Sequence, residues 1–267
     1  MATYQQRLKR NIGGSAVVLL ALLGTIAFTI NGSSLTQLID GTPDPISQEN
    51  VELVRIQRPE HPDILINKVN NQWLITEPCE LPANSQRLTP LLGAVTPAPH
   101  AYNTSEVDMD AAGLIEPLAS ITFDKQRIDI GNTDLSGERR YIKRGSRVEF
   151  VPEWILSLAN GGLTALAQLT IFPNTISALT LENSTAQTEF TIAQISQWQA
   201  LSAQQIVTWP LNDIDEPAII SQLHVTTQEH TSLVALHQYP AYTAIVPNNA
   251  QCAFLVPNDA PPFATQN

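Results

Sequence analysis

Residues 51–75 read VELVRIQRPEHPDILINKVNNQWLI, and the alternation inside this stretch decides the fold class. Residues 51–57 alternate apolar and polar side chains, Ile64-Leu65-Ile66 runs toward Asn70-Asn71, and Trp73-Leu74-Ile75 follows. A period of two broken by paired asparagines predicts three antiparallel strands, because asparagine tolerates the positive φ of a tight hairpin turn. Ile64 and Ile66 then share a face with Trp73 and Ile75. Pro78 and Pro82 stop the sheet. Leu88, Leu91, Leu92 and Val95 have helical spacing interrupted by Pro90, so a helix either starts at Pro90 with Thr89 as its cap or is kinked there.

Downstream, the Pro, His, Asn and Asp content of residues 97–110 marks a loop, after which strand signals return. Ile121-Thr122-Phe123 and Ile128-Asp129-Ile130 flank a turn at Asp124-Lys125-Gln126, and Tyr141-Ile142 pairs with Val148-Glu149-Phe150 around Gly145-Ser146. A short helix beginning at Pro152 carries Trp154, Ile155 and Leu158 on one face and stops at Gly161-Gly162. The remainder repeats the plan. Val51, Val54 and Ile56 are echoed by Ile176, Leu179 and Leu181, Ile64 and Ile66 by Phe190 and Ile192, and Trp73 by Trp198, while Phe150-Val151-Pro152 returns as Leu255-Val256-Pro257. The echoes predict a diverged tandem duplication, a first unit at 50–160 and a second at 175–257, against chance agreement of two strand-rich halves. The weak point is residues 190–201, where Ile192, Ile195, Trp198 and Leu201 equally fit one side of a helix. Residues 258–267 read as a loose tail.

The expected fold is therefore α+β, a mostly antiparallel β body with a few short helices, built from two related halves behind an N-terminal transmembrane helix. That helix is read from residues 13–30, an uncharged apolar run preceded by Arg7, Lys9 and Arg10. Eighteen residues give roughly 27 Å of helix, enough to cross a hydrocarbon core of about 30 Å with flanking residues, so 12–31 is the expected anchor. Cations before the run and Asp40, Asp44, Glu49 and Glu52 after it place residues 1–11 in the cytoplasm. The stalk 32–49 and the body then lie across the membrane. A cleavable export signal is the alternative, but such signals have a shorter apolar core and a small-x-small site, which is not well placed here.

All 14 Lys and Arg lie at or before Arg147, and the last 120 residues carry nine Asp or Glu and no cation, within a net charge of −11. Such an anionic half repels nucleic acid and anionic lipid, so nucleic-acid binding is not expected. Cys79 and Cys252 are the only cysteines. An oxidising compartment permits a bridge between them, while the favoured reading is two separately buried small apolar residues.

No phosphate-binding glycine loop, nucleophile elbow, His-Glu-x-x-His helix or Cys-x-x-Cys pair occurs in the sequence, so no catalytic residue, cofactor or metal ligand is assigned. His224, His230 and His237 match no compact zinc spacing. Asp213, Asp215 and Glu216, like Asp108 and Asp110, lack the glycine turn and distal glutamate of a calcium loop. Arg139, Arg140, Lys143, Arg144 and Arg147 are the strongest surface candidate, five cations in nine residues on one hairpin. Their charges protect a strand edge, dock an acidic partner or the chain's own anionic C-terminal half, or reach the membrane surface through the short stalk.

Residues 72–78, QWLITEP, followed by Pro82-Ala83-Asn84 and Leu91-Leu92-Gly93-Ala94, resemble the family catalogued as domain of unknown function 4340. Ala112-Gly113-Leu114, Ile128-Asp129-Ile130-Gly131, Arg140-Tyr141-Ile142 and residues 148–151 fit its recurring signatures, so the likeness covers about residues 50–155. Ala112, where the family has an aromatic, and Pro90 inside the expected helix depart from it. The resemblance implies a bacterial envelope protein of the inner membrane, single-pass with its body in the periplasm, of a kind often encoded near ATP-binding-cassette transporters. It carries over no catalytic residues. The function expected is a non-catalytic accessory subunit that binds an integral-membrane protein complex. The alternative is a small-ligand or glycan binding module with a cleft between the halves, using Trp73, Trp154, Trp198 or Trp209.

Overall fold

The computed structural model describes residues 47–94, 96–182, 187–211, 217, 219–248, 250–261 and 263. The expected cytoplasmic segment 1–11, the anchor 12–31 and the stalk as far as residue 46 lie outside the described residues. No helix among the described residues is long and apolar enough to cross a membrane. Two antiparallel sheets and a few short helices form a single compact β-rich α+β unit.

The first sheet contains β1 (Leu53–Arg58), β2 (His61–Val69), β3 (Gln72–Glu77), β4 (Leu81–Pro82), β5 (Tyr102–Asn103), β6 (Ala119–Phe123), β7 (Gln126–Thr133), β8 (Arg139–Arg144) and β9 (Arg147–Pro152), in the order β4-β3-β2-β1-β6-β7-β8-β9-β5. The Asn70-Asn71 turn has φ of 49° and 63°, the two positive values a type I′ hairpin needs. Register then aligns branched side chains across the strands. Ile75 faces Ile66, Ile66 faces Val54 and Val54 faces Phe123, while Ile64, Ile56, Ile121 and Ile128 form the neighbouring row. All eight are fully buried, each worth about 1.5–3 kcal/mol relative to exposure.

The second sheet contains β10 (Ala178–Glu182), β11 (Gln187–Glu189), β12 (Gln205–Thr208), β13 (Ile219–Thr226), β14 (Thr231–Gln238), β15 (Tyr242–Pro247) and β16 (Cys252–Pro257), in the order β11-β10-β13-β14-β15-β16-β12. Both sheets share a connection order. An opening strand (β1, β10) forms a hairpin on one side. The chain then passes a helix and a short edge strand (β5, β12) and returns beside the opening strand as a four-stranded meander whose last member pairs with that edge strand. The return connection caps the outer face in both. Val107, Met109, Ala112 and Leu114 pack on Val148 in the first sheet, and Trp209 and Leu211 join Tyr239, Ala244, Val246 and Ala253 in the second.

Helix α1 (Ser85–Gly93) excludes one of the two expectations at Pro90, a start at that residue with Thr89 as the cap. It starts at Ser85, where Asn84 accepts the Gln86 and Arg87 amides, and it carries Pro90 in its interior. Helix α2 (Trp154–Asn160) buries Ile155, Leu156 and Ala159 and leaves Trp154 exposed, so the expected Trp154 face is not the buried one. Helix α2 ends at Gly161-Gly162, where the sequence places its stop. Gly162, at φ +60°, lets the chain turn and restart as α3 (Gly162–Leu166). Residues Ile192–Gln199 are helix α4, not a strand, capped by a reciprocal Thr191–Gln194 box. That helix buries Trp198 and exposes Ile192, so Ile192 does not repeat the strand role of Ile66.

Between the sheets the chain is tied on both sides. Asn84 N donates to Leu166 O at 2.7 Å and Gln168 N to Pro82 O at 2.9 Å, and then Ala203 N donates to Leu169 O at 2.8 Å. Thr164 Oγ1 accepts the Ile206 amide at 2.9 Å, occupying the free side of β12. The described part of the tail is not loose. Phe263 stacks edge-on against Trp198 at 5.1 Å, and the Asn258 side chain bonds Thr243 and the Tyr239 carbonyl.

Candidate functional site

Alternation along β8 places Ile142, which is fully buried, on the same face as Arg140 and Arg144. The inner-face row Ala119, Ile130, Ile142 ends on Glu149, a carboxylate at an apolar position. Arg144 answers it. Both side chains are essentially dry, at 3% and 1% exposure, with Arg144 Nε 3.4 Å from a Glu149 oxygen. Arg144 Nη2 also donates to Ala94 O at 2.7 Å, and Glu149 Oε2 accepts the Ala98 amide at 3.0 Å. The pair thus pins the segment after α1 to the sheet. Burial lowers the pKa of Arg144, and the Glu149 carboxylate opposes the shift.

Arg140 is engaged in the same way, donating to Glu153 at 2.7 Å and to Gly131 O at 2.8 Å. Arg147 stands 4.0 Å from Glu149 and is half exposed. Arg139 and Lys143 point to the opposite face, where Arg139 lies 4.7 Å from the Phe150 ring and pairs with Asp134. The five candidate cations therefore occupy two faces, and Arg140 and Arg144 are held internally. What they offer a partner directly is limited to Arg139, Lys143 and Arg147.

The histidines do not converge. His224 pairs with Glu182 at 2.9 Å, His230 lies in the β13–β14 turn, and His237 stacks on Trp209 at 4.7 Å, where burial lowers its pKa. Asp108 accepts the Asp110 and Ala111 amides as a local turn, while Asp213, Asp215 and Glu216 lie outside the described residues. Among the described residues no group of three or more His, Cys, Asp or Glu could hold a metal ion.

Cys79 and Cys252 are bonded, their Cα atoms 6.0 Å apart, which corrects the favoured reading of two separate thiols. The bond joins the loop after β3 to β16, and thus the first sheet to the second. It lines a cleft of about 470 Å³ together with Thr76, Glu80, Asn248 and Gln251. A smaller apolar cavity of about 180 Å³ adjoins it at Pro247, over Ile171, Phe172, Val225 and Val234. A third compartment of about 160 Å³ shares Asn174 and Thr227 with the second and ends at Glu229. Trp73, Trp154, Trp198 and Trp209 line none of the three. Sequence reasoning missed this groove, since its walls come from the seam and from turns far apart in the chain. No family model, no curated protein and no solved structure matches the chain.

Proposed function

We propose that this chain is a single-pass, N-in membrane protein whose body works outside the cytoplasm as a non-catalytic accessory subunit of an integral-membrane protein complex. The observation that carries the reading is the Cys79–Cys252 bond between the sheets. A cross-link of that kind persists in an oxidising compartment, the side of the membrane to which the N-terminal charge pattern assigns the body. The resemblance to the family of domain of unknown function 4340 supports the same placement, in the inner membrane with the body in the periplasm. The shared connection order of the sheets supports descent of the two halves from one duplicated unit.

A small-ligand or glycan module is the second reading, favoured only by the groove. Glycan sites depend on exposed aromatic faces, and the aromatic rings at this groove, Phe172 and Phe254, are buried. The test compares full-length chain with a version lacking residues 1–31, each purified in mild detergent and its bound proteins identified by mass spectrometry. Stoichiometric recovery of integral-membrane subunits with the full-length chain supports the accessory role. A clean monomer in both preparations overturns it.

A further inference from the structure

The three compartments follow one another, the first and second sharing Pro247 and the second and third Asn174 and Thr227, and taken together as a groove they have a floor and a rim of different chemistry. Its floor is apolar, with Ile171, Phe172, Val225 and Val234 each at most 8% exposed. Its rim carries the side-chain amides of Asn174, Gln228, Asn248 and Gln251, none of which has a hydrogen-bond partner among the described residues. Its described charged lining residues are Glu80 in the compartment at the disulfide and Glu229 in the compartment at the β13–β14 turn. No Lys or Arg among the described residues lines it, as the absence of cations after Arg147 requires for the walls drawn from the second sheet.

We infer that this groove is the partner-binding surface of the body and that its occupant is an extended polypeptide segment, apolar in the middle and flanked by Lys or Arg. The inference rests on the accessory reading for the partner being a protein. Each element of the groove selects for that chemistry. Primary amides offer a donor and an acceptor together, matching the N–H and C=O of an extended main chain. The apolar cavity next to Pro247 takes an aliphatic side chain and gives the segment its register. Glu80 and Glu229, in the two outer compartments, attract cations and repel an acidic segment, so charge sets the choice between peptides as well as the rate of encounter. A nucleic acid or an anionic headgroup is rejected by the same carboxylates.

The test is selection from a randomised ten-residue peptide display library on the full-length chain in detergent, repeated on Ser232→Trp, which fills the apolar cavity, and on Glu229→Lys. Glu229 is exposed in a turn, so that variant keeps the fold even where the bulky substitution disturbs it. The expected result is enrichment of peptides with an aliphatic centre and basic flanks, with affinity reduced at least about tenfold in each variant. Enrichment of acidic peptides, binding that neither variant weakens, or no enrichment at all overturns the inference. Membrane-subunit recovery measured on the same variants separates the two claims. If recovery is undiminished in both, the groove is not the docking surface and the accessory role stands. If the wild-type chain recovers no subunit, the accessory role itself falls.

Discussion

Removing the cross-link, by replacing both Cys79 and Cys252 with alanine, should destabilise the body far more than any single contact near it. The bond spans a sequence separation of 173, and in the chain-entropy model closing such a loop removes about 17–18 cal/mol/K from the unfolded ensemble, about 5 kcal/mol at 25 °C. Total stability for a domain is about 5–15 kcal/mol, so this one covalent link is a large share of it. The native state should change little, because the sheets are also tied through the 166–171 linker and through Thr164. The assay is equilibrium urea unfolding of the full-length chain in detergent, read by tryptophan fluorescence, since Trp198 is fully buried. With a slope of about 3 kcal/mol/M the midpoint should fall by about 1.7 M, equally in the double variant and in reduced wild type. A fall below about 0.5 M would refute the reasoning. So would a new folding step in which one sheet melts before the other, because the bond would then be holding the native sheets together rather than restricting the unfolded chain.

Three further outcomes follow from the same geometry. Glu149→Leu leaves Arg144 charged and dry, so it should cost about 3–5 kcal/mol in urea unfolding, and adding Arg144→Met should recover most of that loss. Burial lowers the His237 pKa from 6.5, so the unfolded chain binds the proton more readily than the folded one; stability is retained above about pH 6.5 and lost as pH falls through the folded value. His237→Phe should therefore flatten the acid side of the thermal-melting profile, and an unchanged profile would count against the shift. Residues 175–267 expressed alone should fail to give a soluble folded unit, since the main-chain partners of 201–203 lie in the missing linker; a cooperative melt of that fragment would contradict this.

Strand alternation made the first sheet legible, because residues 51–75 carry a period of two and a turn that only asparagine or glycine suits. Helix α4 was harder. Residues 190–201 satisfy both periods over so short a length, and the deciding signal was local chemistry, the Thr191–Gln194 box, which is visible in the sequence as Thr-x-x-Gln. At Pro90 the helical spacing of Leu88, Leu91 and Leu92, all buried, prevailed over a helix start at the proline. Counting charge without parity makes the cationic hairpin look like a surface. Ile142 fixes the inner face of β8, and its neighbours two positions away are Arg140 and Arg144. The same parity, applied to β9, marks Glu149 as the counter-charge of Arg144. The cleft and the cross-link were beyond such reasoning, since each depends on how two distant stretches meet.

The linker between the two sheets also closes their edges. An unpaired edge is a template for association, and β4 and β12 would each present one if the halves were separate. Instead the linker that joins the halves serves both. Residues 166–168 bond to Pro82 and Asn84 beside β4, residues 169–171 bond to 201–203 just ahead of β12, and Thr164 covers Ile206 within β12. Edges closed by the connecting chain make one body of the two sheets, with the cross-link and the groove at the junction. The groove then draws its walls from both sheets and from the linker between them. That accounts for why no short motif announces it: Glu80 belongs to the first half, Glu229 to the second, and Ile171 to the seam between them.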